Sequence, residues 1–156
     1  PLTSEAFTRI KNQLQASRGK GDPARTVVFD FNPQGKDATA TEFGPCYDLA
    51  ELIAGQFDLQ TVAYVHARTT GHLVLPVLAC KEIVVGPQAA LGEVVAPGEP
   101  ALTGLKANGY AEVVRKVRPT HAGLARKLYD PQAQVRKGKK GGATVIAGDG
   151  QVSAGQ

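Results

Sequence analysis

Residues Thr61 to Val85 read TVAYVHARTTGHLVLPVLACKEIVV, and this stretch decides the fold. "TVAYV" is β-branched and aromatic, as a strand is, and "EIVVG" reads the same way. Between them "HLVLPVLAC" is apolar around its whole circumference, the pattern of a helix buried on all sides. Strand, buried helix and strand at this spacing make a βαβ unit, whose crossover leaves the two strands parallel. Pro76 lacks an amide hydrogen and would clash with a preceding turn, so a kink or a late helix start is expected there. The polar junction "ARTTGH" follows the first strand, and α/β sheets place their ligand crevices at such strand ends.

The pattern extends in both directions. Upstream, "RTVVFDF" predicts a strand that ends in the polar loop "NPQGKDATATEFG". Cys46, Leu49, Ala50, Ile53 and Phe57 then form one apolar stripe, predicting a helix between Gly44-Pro45 and the Asp58 region. Leu2, Phe7, Ile10 and Leu14 predict an amphipathic helix at the start, running into the loop "RGKGDP". Downstream, "PQAALGEV" is a turn, and two helices are expected over Thr103 to Val117 and Thr120 to Tyr129. Thr120 is the expected N-cap of the second, and Asp130-Pro131 its stop. The tail "GGATVIAGDGQVSAGQ" predicts a hairpin around "GDG". The fold class is therefore α/β, with one domain over residues 1–135 and a basic loop with a hairpin or tail, 136–156, at its edge.

Bulk properties bound the function. The 156 residues are 42% hydrophobic and 21% charged, enough for one closed core. With 6% aromatics and neither Trp nor Met, Val, Leu, Ile and Ala must do most of the packing. The absence of Met and the opening "PLTSEAF" suggest a piece of a longer precursor. No signal-peptide core opens it and no apolar run reaches the roughly 18 residues of a membrane span, so a soluble piece is expected. Cys46 and Cys80 lack partners at zinc-ligand spacing and sit among apolar residues, so buried free thiols are expected and no metal. No dinucleotide fingerprint occurs, and no cofactor is expected. Nine of the 18 basic residues lie between Arg115 and Lys140, yet "VRKGKKGG" has no interleaved aromatics for base stacking. A solvated, mobile basic segment is expected rather than a nucleic-acid site.

The order of these motifs resembles the Clp protease and crotonase superfamily. Within it, the chain is most similar to membrane-bound serine proteases of the NfeD type and to signal peptide peptidase A. "TVAYVHA" resembles the strand before the nucleophile, "ACKEIVV" the end of the nucleophile helix, and "GPQAALGEV" the turn after it. The likeness runs from about Arg25 to Val94 and is looser from Thr103 to Val135. It implies a fold of repeated βαβ units around a buried central helix, peptide or protein segments as partners, and self-association as dimers or rings. Membrane attachment would come only through segments outside these residues, which leaves the compartment open.

In those families a Ser opens the buried helix, a Lys serves as its base, and backbone amides hold the oxyanion. A helix N-terminus and a desolvated Lys suit this chemistry, and the amides supply its largest catalytic effect. Counting back from Ile83 puts Gly71 at the position of the Ser, while one gap puts Thr70 there. Gly71 cannot attack anything. Thr70 can, although cap or turn duty explains Thr69 and Thr70 without chemistry. Gly35 of "NPQG" and His72 are the resemblance-implied oxyanion amides, where the families usually carry a Gly-Gly pair. Lys106 stands near the position of the base, with an ordinary surface lysine as its alternative. His72 is either a general base or a structural ring bonded to a loop. His66 and His121 are expected as surface or capping residues, and Asp30 and Glu82 as solvated strand-end carboxylates.

Three functions follow. The first is a protease-like domain whose nucleophile is lost at Gly71, acting in peptide binding or assembly, with strand addition as the binding mode. The second is an active peptidase using Thr70 with Lys106 or His72. The third is a crotonase-type acyl-coenzyme A binder, for which the sequence offers no adenine-binding segment.

Overall fold

The computed structural model describes residues 2–18, 25–140 and 143–148. The chain divides into two compact units, Pro1–Gly92 and Glu93–Gln156, whereas the sequence drew its one boundary after residue 135.

In the first unit, helix α1 (Ser4–Arg18) starts where the Thr3 hydroxyl accepts the Ala6 amide at 3.2 Å. Strands β1 (Thr26–Asp30) and β2 (Ala38–Ala40) follow, then helix α2 (Phe43–Ala54). Strands β3 (Gln60–Val65) and β4 (Thr69–Gly71) precede the short helix α3 (Val74–Leu78), and strand β5 (Glu82–Val85) follows it. The repeating unit is thus strand, strand, helix. The first strand of each repeat joins one parallel sheet of order β1-β3-β5, and the second joins another, β2-β4. Leu91 makes a parallel bridge to Thr69 and so continues the second sheet after β5. The expected alternation of strands and helices is present. "TTG", expected as a junction, is itself a strand.

Burial explains why these residues take these places. Cys46, Leu49, Ala50 and Ile53 of α2, all of α3, and Ala63 and Val65 of β3 are buried together. A helix of five residues has no stability in isolation, so α3 exists because its apolar side chains are removed from water on every side. Burial contributes about 1.5–3 kcal/mol for each such side chain. Pro76 is its third residue, within the first turn, where its missing donor would have had no helical partner. The expected late helix start has this cause.

Phe57 departs from the expected stripe. The α2 helix ends at Ala54 with a Gly55 cap, so Phe57 lies beyond it and is 77% exposed. Lys81 holds the following turn, its Nζ donating to the Phe57 carbonyl at 3.0 Å and the Leu59 carbonyl at 2.5 Å.

The second unit contains α4 (Gly104–Val117), a 3-10 turn over Pro119–His121, α5 (Ala122–Tyr129), and strands β6 (Val135–Lys140) and β7 (Ala143–Gly148). Its core includes Tyr110, Val113, Val114, Ala125 and Tyr129, with the two tyrosine rings 5.1 Å apart. Thr120 is not the cap of α5: it lies in the 3-10 turn, where its hydroxyl is 3.1 Å from His121 Nδ1. Pro119 starts that turn, and His121 stands at the cap position of α5 without a side-chain cap hydrogen bond.

β6 and β7 pair antiparallel with Lys140 opposite Ala143. The basic segment expected to be mobile is therefore a strand, paired with Ala143–Gly148. Asp149 and Gly150 of "GDG" lie outside the described residues. Among the described residues no helix is long and apolar enough to cross a membrane, and no group of three metal-ligating side chains occurs.

Candidate functional site

The junction that raised the question of catalysis is built by β2 and β4. They run parallel with Ala38 opposite Thr69, Thr39 opposite Thr70 and Ala40 opposite Gly71. At Gly71 the backbone turns to φ +61°, a left-handed conformation that favours glycine. A Cβ added there would lie 2.4 Å from the Ala40 carbonyl oxygen and 2.9 Å from Thr39 Oγ1. The position where the resemblance seeks a side chain is filled by main chain.

The neighbouring amide is engaged by the same atom. The His72 N–H donates to the Ala40 carbonyl at 2.7 Å, and the His72 carbonyl accepts from the Leu75 amide at 3.1 Å to start the turn into α3. The His72 ring is buried and meets Phe43 edge-on, with centroids 5.3 Å apart. Gly35 is exposed at φ +66°, and its amide donates to the Asn32 carbonyl at 2.9 Å in a tight turn. Both amides considered for the oxyanion thus have intramolecular acceptors.

Thr69 is fully buried, with its hydroxyl accepting from Asn32 Nδ2 at 3.3 Å. Thr70 is half-buried, and among the described residues no hydrogen bond joins its hydroxyl to a histidine. Lys106 belongs to the second unit, exposed on the first turn of α4. Cys46 and Cys80 are buried free thiols, and burial pushes Cys46 up to about 12, far from a reactive thiolate.

Asn32 was not singled out in the sequence, yet it ties the strand ends together. Its Oδ1 accepts the His66 amide at 2.6 Å while its Nδ2 reaches Thr69, so one buried side chain links the chain after β1 to the start of β4. Asp30 and His66, at the carboxyl ends of β1 and β3, pair at 3.0 Å, and the His66 ring packs against Tyr64. Glu82 opens β5 and is exposed.

No family model, curated protein or solved structure matches the chain.

A concavity of the first unit is lined by Thr39 and Leu73 near the junction but not by Gly71. A groove of about 960 Å³ runs between α1 and the outer edges of β1 and β2, within the size range of ligand sites. Leu2, just before α1, and Ala6, Ile10 and Leu14 on it line one side, Phe29 and Phe31 line the β1 side, and Leu49 and Leu73 line it from within the unit. β1 is an edge strand, so its outer side is unpaired among the described residues. The Gln60 amide donates to the Arg25 carbonyl and the Phe31 amide to the Tyr64 carbonyl, which turns Arg25, Val27, Phe29 and Phe31 toward β3. By the alternation of a strand, the main-chain donors and acceptors of Thr26, Val28 and Asp30 point outward. In the sequence, the alternation of "TVVFD" marks a strand but gives no sign that it stands at an edge.

Proposed function

We propose that this chain is a peptide-binding domain on a Clp and crotonase-like scaffold, with the nucleophile position closed, so that it engages polypeptide segments without cleaving them. The observation that carries this reading is the 2.4 Å separation between the Ala40 carbonyl and a Cβ at Gly71. A serine-type nucleophile needs both a side chain and an unengaged oxyanion donor beside it. Here the carbonyl of Ala40 takes the space of the first and the hydrogen bond of the second.

The scaffold half of the proposal is supported by the strand, strand, helix repeat and by the buried α3 following the junction. The binding half is supported by an edge strand whose outward main chain can add a further strand, a mode that needs no nucleophile. Self-association belongs to the same proposal. Val28 is 60% exposed beside Val62, and parallel sheets generally have both faces covered.

The test uses the full chain with a fluorophosphonate probe and with fluorescein-labelled extended peptides. We expect no covalent labelling, no cleavage, and saturable peptide binding followed by anisotropy. Labelling of Thr70, or hydrolysis abolished by Thr70→Val, would overturn the reading in favour of an active peptidase.

A further inference from the structure

The groove beside β1 says more than that a segment binds. Among the described residues its lining includes two charged side chains, Asp30 and Asp37, and both are acids. The chain as a whole is +4, with 18 Lys and Arg against 14 Asp and Glu. Among the described residues the lining carries two acids and no cation on a chain that is basic overall, a charge pattern complementary to a cationic segment.

The two carboxylates flank the connection from β1 to β2, at the end of the groove where β1 finishes. Each retains acceptor capacity. Asp30 meets His66 Nε2 at 3.0 Å, and Asp37 Oδ1 accepts the Arg68 amide at 3.2 Å, whereas an ionised carboxylate offers about four lone-pair sites. Both acids are exposed, so an incoming ammonium or guanidinium needs no deep desolvation to reach them. The rest of the wall is apolar, from Ile10 and Leu14 on α1 to Leu49 and Leu73 behind. β1 is five residues long, and a strand added along it would span about 17 Å at ~3.3 Å per residue.

We infer that the groove docks an extended polypeptide as an added strand on β1, with apolar side chains in the groove and a lysine or arginine at the end lying beside Asp30 and Asp37. The inference rests on the peptide-binding reading above and names the site and the class of segment. Asp30 and Asp37 set the preference, while the main chain of Thr26, Val28 and Asp30 supplies sequence-independent affinity.

The test measures binding of capped, fluorescein-labelled nonapeptides of alternating Val and Thr to the full chain at low salt. One peptide carries Lys at its first position, one carries Lys at its last, one carries Glu at both ends and one is uncharged. The better Lys peptide should bind at least tenfold more tightly than the Glu peptide, and this preference should shrink between 0.05 and 0.5 M salt. Asp30→Asn combined with Asp37→Asn should erase the difference between the Lys and Glu peptides. Val28→Pro removes an outward amide without touching the pairing to β3, and should weaken all four peptides by at least tenfold. Ala6→Trp fills the groove from the helix side and should do the same, which covers a proline variant that fails to fold.

Equal binding of Lys, Glu and uncharged peptides, lost in Val28→Pro or Ala6→Trp, would overturn the charge preference and leave peptide binding standing. Binding unchanged in Ala6→Trp would overturn the location. No binding of any peptide would overturn both this inference and the peptide-binding function.

Discussion

Gly71 offers the most direct test of the chemistry assigned to the junction, through replacement by serine and, separately, by alanine. Both introduce a Cβ, and only serine restores a hydroxyl. A residue other than glycine at φ +61° costs about 1–2 kcal/mol in backbone energy. The Cβ would also lie 2.4 Å from the Ala40 carbonyl oxygen, an atom fixed in main chain that accepts the His72 amide at 2.7 Å. Moving packed structure aside costs typically 1–3 kcal/mol, so each variant should lose about 2–5 kcal/mol in all. For a unit the size of Pro1–Gly92, each kcal/mol lowers Tm by about 4–8 °C, so a drop of at least roughly 8 °C is expected. Circular dichroism melts and urea titrations of both variants measure it. Gly71→Ser and Gly71→Ala should fall together, because the shared Cβ does the damage, and Gly71→Ser should remain unlabelled by a fluorophosphonate. A Gly71→Ser protein with the parent's Tm, or one that gains labelling at residue 71, would refute the closed-position argument.

Four further outcomes follow from particular contacts and from burial. Asn32→Ala leaves the His66 amide and the buried Thr69 hydroxyl without their partner, and should cost about 2 kcal/mol in urea unfolding. Thr61→Val keeps the shape of a fully buried side chain but removes the acceptor of the Lys81 amide at 3.0 Å, with an expected loss of about 1–3 kcal/mol by the same measurement. Cys46 makes the stability alkaline-sensitive. The native thiol keeps its proton to about 12, whereas the unfolded thiol releases it from its ordinary value of 9.0. Over that window the unfolded chain binds fewer protons, so stability is intact below pH 9 and falls above it, by at most about 1.4 kcal/mol per pH unit from this group. Urea midpoints between pH 8 and 10.5 should show the decline, and Cys46→Ala should remove that part of it. Consistent with burial, neither thiol should react with a disulfide reagent until the chain unfolds.

Much of the first unit was legible in the sequence because its signals are local. "TVVFD", "TVAYV" and "EIVV" are strands where their composition places them, and the fully apolar "LVLPVLAC" is buried as its lack of a polar face requires. The stripe of α2 held at Cys46, Leu49, Ala50 and Ile53 but failed at Phe57, since periodicity continues through a helix stop that only the Gly55 cap fixes. Thr120 failed similarly, as a capping residue type caps only where its own backbone is non-helical, and Thr120 lies inside the 3-10 turn.

What the sequence determined by itself is therefore the α/β class and the identity of the buried helix, along with a glycine at the position where the resemblance seeks a nucleophile. These depend on the spacing of apolar side chains and the chemistry of single residues. Only the tertiary structure decided that the glycine's missing side chain is replaced by the Ala40 carbonyl, that β1 is an edge, and that Asp30 and Asp37 line one groove with α1. Each of these joins atoms far apart in the chain. Such pairings are set by strand register and packing, and no window of sequence around any one of the residues contains them.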